Sequence, residues 1–182
     1  MNGARSRRLK LVIIALTGLS GCEHAGVFEP FREVECVSGA QVSLKGAVAA
    51  AEADGSKALD ADYRQDEEMG CIRGFPGVYD VTLLRNGKID VVSVDARSAA
   101  LGPRQEASVM NALLGGHFEG SHADMVPLIP KMRVAMTEAI DVAEQGGGKA
   151  MSAWIEARDG KPGFTVKVVE KGRVRITWVN GS

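Results

Sequence analysis

The residue types best suited to chemistry lie in one short segment, Gly116-His117-Phe118-Glu119-Gly120-Ser121-His122-Ala123-Asp124. The two imidazoles and two carboxylates of His117, Glu119, His122 and Asp124 are groups that bind transition metals. However, His117 and His122 are five residues apart, which places them on one face of neither a helix nor a strand. A polar linker is therefore the simpler interpretation, and a metal-binding or enzymatic envelope protein is the alternative.

Other catalytic patterns are weaker still. Ser121 beside His122 does not predict a serine nucleophile, because the members of such a triad meet in space rather than by adjacency. The sequence contains no His-Glu-x-x-His, Walker loop, Cys-x-x-Cys or nucleophile elbow. We therefore expect a protein that is not an enzyme and that needs no cofactor.

The start of the chain carries a targeting pattern. A basic stretch from Arg5 to Lys10 precedes an apolar run, Leu11 to Leu19, which is shorter than the roughly 20 residues that span a bilayer. Leu19-Ser20-Gly21-Cys22 follows, and it resembles the lipobox of bacterial lipoprotein signals. The resemblance implies removal of residues 1–21, a lipid on Cys22, and export to the periplasmic side of the cell envelope. An ordinary secretory signal is the alternative.

The mature chain is mildly acidic. Residues 1–21 hold four positive charges and no negative ones, so their removal shifts the formal net charge from −1 to −5. Nucleic acid is not expected as a partner, because phosphate binding needs clustered Lys and Arg. Attachment to the membrane would come from the lipid anchor alone. Glu23 stands where Asp resembles an inner-membrane retention signal in some bacteria, which favours the outer membrane.

Two further cysteines, Cys36 and Cys71, remain in the mature chain. Exported proteins meet an oxidising compartment, where two leftover thiols commonly pair. A disulfide between them would close a loop of about 35 residues and contribute about 3–4 kcal/mol. Two unpaired cysteines are the alternative.

Local patterns predict one helix and three strands in the first part of the chain. Ser43 is a suitable N-cap, and Leu44 to Ala51 places apolar residues on one helical face before Gly55. Alternation predicts strands over 58–64, 78–85 and 88–94, with Asn86-Gly87 as a hairpin turn. In the first strand, Asp60 is assigned to a solvated face.

The same order of patterns recurs at an offset of 92 residues and, after one loop, of 85 residues. We therefore predict an α+β fold of two repeated units, each a helix packed on a three-stranded antiparallel β-meander. The boundaries are 1–21 for the signal peptide, 22–39 for a tether, 40–100 for the first unit, 101–129 for a linker and 130–182 for the second unit. The linker is predicted to hold a helix from Pro103 to Leu114.

The two units resemble PepSY domains, small modules of bacterial envelope proteins and of some metallopeptidase propeptides. The residues that carry the resemblance are Ser43-Leu44-Lys45-Gly46-Ala47, Val78-Tyr79-Asp80-Val81-Thr82-Leu83-Leu84, Asn86-Gly87-Lys88 and Val92-Ser93-Val94-Asp95-Ala96. The second unit departs from the pattern at Val179-Asn180-Gly181. The resemblance implies a noncatalytic module that binds or inhibits a protein partner, a secreted peptidase being one candidate.

A partner could be a protein or an extended peptide, which a sheet binds through an edge or a face. Trp154 has the opposite parity to Ala153 and Ile155 of the expected core. Ile176 is assigned to the core side of its strand and Trp178 is placed off it. An exposed pair of tryptophans, Trp154 and Trp178, would form a contact patch. Cover by the linker helix or by the other unit is the equal alternative.

Overall fold

The helix predicted after Ser43 is present, and a further helix precedes it within the segment that the sequence assigns to a tether. A computed structural model of the chain describes residues 34–65, 77–106 and 122–182. Helix α1 covers 34–39, at the end of the predicted tether, and Val37 in it is fully buried. Helix α2, Leu44–Ala51, begins after Ser43, whose hydroxyl accepts a 3.1 Å hydrogen bond from the N–H of Gly46. The predicted N-cap is confirmed.

The predicted hairpin is also present. Its strands are β2 (Val78–Arg85) and β3 (Lys88–Asp95), preceded by β1 (Lys57–Arg64). Asn86 and Gly87 have φ values of 51° and 78°, as a type I′ turn requires. The later elements are β4 (Gln105–Glu106), α3 (His122–Met125), a 3₁₀ helix (Val126–Lys131), α4 (Met136–Glu144), β5 (Lys149–Arg158), β6 (Lys161–Glu170) and β7 (Arg173–Asn180).

These strands form one mixed α+β architecture around a seven-stranded antiparallel sheet, in the order β4-β3-β2-β1-β5-β6-β7. The junction between the first and second halves of the chain is the pairing of β1 with β5. It consists of three residue pairs, in which Asp60, Ala61 and Asp62 face Trp154, Ala153 and Ser152. Strand β1 is therefore central in the sheet.

The core lies on one side of the sheet, which we call the helix face because α2 and α4 pack on it. Lys45 of α2 and Asp141 of α4 form a 2.6 Å ion pair between the two helices. The rings of Tyr63 and Tyr79 meet edge to face, with centroids 5.4 Å apart. The fully buried large side chains of this core are Tyr63, Tyr79, Leu44, Leu59, Leu83, Ile140, Val37, Val48, Val81, Val92, Val94 and Val166.

The two halves of the chain contain equivalent hydrogen bonds between helix and strand. The Glu52 carboxylate, just after α2, accepts from the N–H of Ala58 at 2.8 Å. The Glu144 carboxylate, at the end of α4, accepts from the N–H of Ala150 at 2.7 Å. In β1 and in β5 the pairing register shifts just after the bonded residue, as in a β-bulge.

A second pair of bonds fixes the start of each helical segment against the end of a meander. The carbonyl of Ala96 accepts from the N–H of Val42 at 2.9 Å, and the carbonyl of Gly181 accepts from the N–H of Val134 at 3.3 Å. The N–H of Ala96 donates to the carbonyl of Gly77, just before β2, at 3.1 Å, and the N–H of Gly181 donates to the carbonyl of Pro162, near the start of β6, at 3.0 Å. These hydrogen bonds recur in the second half at the same sequence offset of 92 on their helical side.

Two sequence-based assignments differ from the structure. Gln105 and Glu106, placed in a helix beginning at Pro103, instead form β4, because their backbone pairs with β3; the rest of that helix, 107–114, lies outside the described residues. In the sequence, the apolar residues from Ile129 to Ala143 keep a helical period and predict one helix for the second unit, but the structure divides this stretch into the 3₁₀ helix and α4. Among the described helices, none is long and apolar enough to cross a membrane.

Candidate functional site

The surface of interest is the side of the sheet opposite α2 and α4, which we call the second face. Across five adjacent strands one row of residues is aligned by the pairing register, and all of them point to this side. From β2 to β7 this row consists of Thr82, Asp60, Trp154, Thr165 and Trp178. The row crosses the junction between the two halves, so it combines residues from both.

Asp60 is the most perturbed group on the second face. Only 2% of its surface is exposed, whereas the sequence places it on a solvated face. That assignment is wrong, because β5 pairs with β1 and sets Trp154 beside Asp60. Burial raises the pKa of Asp60 well above its usual range, and the negative charges of Asp62 and Asp80 raise it further, against opposing effects from the Ala61 N–H and Lys167.

Asp80, the neighbour of Asp60 across β2, is already bound by side chains of the first half. Arg64 Nε donates to its carboxylate at 2.6 Å, and the Ser93 hydroxyl donates to it at 2.5 Å. These charge-assisted hydrogen bonds fix the orientation of the Asp80 carboxylate. The first half of the second face is therefore polar and internally bonded.

Trp154 is half-buried, and its indole makes two polar contacts, one over the ring face and one through the N–H. The ammonium of Lys167 lies 5.2 Å from the ring centroid, within the range of a cation–π contact. The indole N–H donates to Glu156 at 3.3 Å, and Glu156 also accepts from Thr165 at 2.5 Å. Arg158 donates to both Glu156 and Thr165. The indole is thus fixed in orientation.

Trp178 is half-buried at the other end of the row, on the last strand. Its ring lies over Gly163, where a Cβ would approach the indole to 2.7 Å, so no side chain fits beneath it. The indole N–H is buried and has no hydrogen-bond partner. A buried donor without a partner costs about 1–3 kcal/mol. This cost sets Trp178 apart from Trp154.

Two apolar residues beside Trp178 are exposed. Val174 is 45% exposed and Ile176 is 60% exposed, and both lie on the second face of β7. The assignment of Ile176 to the core side is wrong, and Trp178, two residues further, shares its face. The reason is Arg175, which occupies the helix face instead and donates to the carbonyls of Ala143 at 2.9 Å and Gly147 at 3.2 Å.

Arg175 is the structural residue that the sequence reasoning missed. The exposed apolar stripe follows from it, because satisfying the last carbonyls of α4 brings the odd-numbered residues of β7 under the helix. Alternation in the sequence indicates the opposite orientation of β7, because Val174, Ile176 and Trp178 are more apolar than Arg173, Arg175 and Thr177.

The other predicted site residues are only partly described. Cys36 is buried in α1, and its Sγ lies 3.5 Å from Gln65 Oε1. Cys71 and the lipidation residue Cys22 lie outside the described residues. The pairing of Cys36 with Cys71 stays a prediction.

The predicted metal cluster also falls largely outside the description. His117 and Glu119 are not described, His122 begins α3, and Asp124 in the same short helix is exposed. Within 34–65, 77–106 and 122–182, no three His, Cys, Asp or Glu side chains come together as a metal site would need.

Comparisons with known proteins give little. No protein-family model matches the sequence, and no curated protein matches it. A solved structure, that of a candidate lipoprotein from Clostridium difficile 630, aligns over 77% of this chain and 95% of its own, with a TM-score of 0.36 and 10% sequence identity. A likeness this weak carries no argument about function.

Proposed function

We propose that this chain is a noncatalytic binding protein that contacts a protein partner through the second-face side of β7. The observation that carries the proposal is the exposure of Val174 and Ile176 beside Trp178. Apolar side chains in a contiguous exposed strip are typical of protein-contact sites, and tryptophan at the edge of such a strip is a common anchor. The fixed indole of Trp154 and its Lys167 extend this surface towards the middle of the sheet.

The two halves of the chain are, in this proposal, copies of one PepSY-like unit. Support comes from bonds that recur at the sequence offsets of the repeat, such as Glu52 to Ala58 and Glu144 to Ala150. Residues equivalent by the offset of 92 also mark the two register shifts. The resemblance to PepSY modules adds inhibition of a secreted peptidase as one form that the binding could take.

The location of the protein rests on its N-terminal sequence. Export, a lipid on Cys22 and an outer-membrane position facing the periplasm are parts of the same proposal. Replacing Cys22→Ser should move the protein from the membrane pellet to the periplasmic soluble fraction. Retention in the pellet, unchanged by the substitution, would contradict the anchor.

Crosslinking and pull-down from native envelopes test the binding proposal directly. The full chain should recover a protein other than itself, and Trp178→Ser should reduce the recovery at least tenfold. Serine is chosen because Ser93 occupies the equivalent strand position in the first half. Val142→Ser is the matched control, since Val142 is 47% exposed on α4, on the helix face, and should leave recovery unchanged.

A second variant guards against a folding defect in Trp178→Ser. Lys167→Glu leaves Trp178 in place but reverses the charge above Trp154, and it should also weaken recovery. If no protein other than the chain itself is recovered under several crosslinking conditions, the binding proposal fails.

Metal analysis separates this proposal from the alternative. Stoichiometric zinc or copper in the purified full chain, lost in a His117→Ala/His122→Ala variant, would show that metal handling is part of the function. We expect no stoichiometric metal, and we expect the double variant to recover the same partner as the unmodified chain.

A further inference from the structure

The two edges of the sheet differ in how they can receive another strand. One edge is β4, which has only two residues. The other is β7, which has eight residues, contains no proline, and pairs with β6 without a register shift. Long regular edge strands of this kind pair readily with further strands, and natural proteins usually blunt them. Within the described parts of the chain, β7 has none of those devices except its two arginines.

The backbone groups that face outward from β7 can be identified. The N–H of Gly181 donates to the carbonyl of Pro162 at 3.0 Å, and these two residues continue the β6–β7 register. Bonded residues alternate along an antiparallel strand, so the odd-numbered residues of β7 face β6. The N–H and C=O groups of Val174, Ile176 and Trp178 therefore point away from the sheet. These are the residues whose side chains form the apolar strip.

We propose that β7 is a dimer interface, in which β7 of a second copy of this chain pairs with it antiparallel about a twofold axis at Ile176. In this register Ile176 faces Ile176 of the second copy, and Val174 faces its Trp178. Every residue with outward backbone groups then meets a residue with outward backbone groups. A twofold axis perpendicular to the sheet keeps the helices of both copies on the same side and joins the two sheets into one.

The side chains are compatible with self-pairing. On the second face, the opposed residues are Ile176 with Ile176, and Val174 with Trp178, all apolar, which is the favourable case for cross-strand neighbours. On the helix face Arg175 faces Thr177 of the second copy, and its guanidinium is already held by the carbonyls of Ala143 and Gly147.

The two arginines of β7 are spaced differently in this register: the Arg175 residues lie diagonally, two residue steps apart, each held by the carbonyls of Ala143 and Gly147 in its own chain. Arg173 faces Val179 of the second copy, so the two Arg173 residues lie six residue steps apart along the paired strands. Six steps correspond to about 20 Å, which exceeds the Debye length of about 8 Å at physiological ionic strength. An axis at Trp178 would oppose two indoles, and an axis at Val174 would shorten the pairing. The axis at Ile176 opposes only apolar residues on the second face, whereas an axis at Thr177, which would pair four outward residues instead of three, would set Val174 against Asn180.

The interface uses the outward edge of β7 and goes beyond the proposed function, which concerns capture of a different protein. The two fail separately. A dimer without a captured partner would leave this inference standing, and a monomer that captures a partner would overturn it alone.

Cysteine crosslinking in native envelopes tests the register. In a bonded antiparallel pair the opposed Cα atoms are about 5.5 Å apart, which a disulfide can bridge. Ile176→Cys in the full chain should give a reducible species of twice the monomer mass. Val142→Cys, at a position that is also exposed but lies on α4 away from β7, should not. Equal crosslinking of both variants, or none at Ile176→Cys, would overturn the proposed register.

Sedimentation of the detergent-extracted full chain tests the dimer itself. The unmodified chain should sediment as a dimer. Ile176→Lys should weaken dimerisation at least tenfold, because it sets two ammonium groups against each other at the axis, while Ile176→Val should not. An unmodified chain that stays monomeric at about 100 µM, where a dimer with a micromolar dissociation constant would be almost fully populated, would overturn the proposal. So would a dimer that survives Ile176→Lys.

Discussion

The first half of the chain, up to Glu106, and the second half, from His122, each contain a helix whose last carbonyls accept hydrogen bonds from an arginine. The two arginines lie at different places in their halves. The last carbonyls of α2 and α4 need donors. Arg104 donates to the carbonyl of Ala51 at 3.0 Å, and Arg175 donates to the equivalent carbonyl of Ala143 at 2.9 Å. Arg104 follows the first meander, whereas Arg175 lies inside the last strand of the second. Both helices therefore have an arginine donor at the equivalent carbonyl, but the donor comes from a different element in each half.

That difference determines which edge of the sheet is exposed. In the first half the chain continues past β3, and its next residues form β4 and supply Arg104. In the second half β7 itself supplies Arg175, and the edge beyond it is free among the described residues. Equivalent strand positions hold Ser93 and Trp178, or Val91 and Ile176. The halves thus share several backbone hydrogen bonds, whereas the side chains on their surfaces differ.

The largest effect should come from the core that the two helices share. Ile140 of α4 and Val48 of α2 are equivalent by the offset of 92, and both are fully buried. Ile140→Ala should lower the free energy of unfolding by about 2–5 kcal/mol. Because the β1–β5 pairing joins both halves in one sheet, Ile140→Ala and Val48→Ala should each give a single denaturant transition. Two separate transitions would show that the halves fold independently.

The next effect should be confined to the first half, since the second half contains no cysteine. If Cys36 and Cys71 pair, the mass of the intact protein should rise by two hydrogens on reduction. Cys36→Ser should then cost about 3–4 kcal/mol of unfolding free energy. An unchanged mass on reduction would show that the thiols are not paired.

Local sequence patterns predicted those features that depend on near neighbours. The Ser43 cap, the Asn86-Gly87 turn and strands β2 and β3 lie where the sequence places them, because capping and turn geometry are settled within a few residues. Helix α4 also follows its apolar periodicity from Met136.

Features that depend on distant pairing could not be predicted in this way. The junction of β1 with β5 joins residues that are 90 or more positions apart, and it sets Trp154 beside the buried Asp60. Which side of β7 faces the helices depends on the hydrogen bond from Arg175 to the carbonyl of Ala143 in α4, and a pattern within the strand does not show this partner. For that reason the exposure of Val174 and Ile176, on which the candidate site depends, was not predicted from the sequence.

The two arginines that bind helix carbonyls should contribute equally if their roles are equivalent. Arg175→Ala and Arg104→Ala should each lower the free energy of unfolding by about 1–2 kcal/mol, because each leaves partly buried carbonyls without a charged donor. Arg175→Lys should recover only part of the loss, since one ammonium cannot span the carbonyls of Ala143 and Gly147. Chemical denaturation checks both values. A loss at only one position would show that the equivalence is limited to geometry.

The junction between the halves should make stability depend on pH through Asp60. An aspartate in the unfolded chain releases its proton near pH 4, whereas burial raises the pKa of Asp60 in the folded protein. The unfolded state is therefore increasingly favoured as pH rises from about 4 through the folded pKa. Asp60→Asn should remove this loss, so its stability relative to the unmodified chain should increase with pH.

Asp95 provides a control of opposite sign for Asp60. Hydrogen bonds from Ser98 lower the pKa of Asp95, so its contribution is present above pH 4 and is lost as pH falls through the folded pKa. Asp95→Asn should therefore become less stable, relative to the unmodified chain, as pH rises. If Asp60→Asn changed in the same direction as Asp95→Asn, the burial of an uncharged Asp60 would be contradicted.

The smallest effect should come from exchanging the exposed edge residue for its first-half equivalent. Ile176→Val places the residue type of Val91 at a position that is 60% exposed, and substitutions at such surfaces usually change stability by less than about 0.5 kcal/mol. Val166→Ala, on the neighbouring strand and fully buried, should cost several times more in the same denaturation assay. If Ile176→Val proved as costly as Val166→Ala at high protein concentration but not at low concentration, the difference would measure burial of Ile176 against another chain. The contrast between a bonded first-half edge and a free second-half edge would then hold only for the monomer.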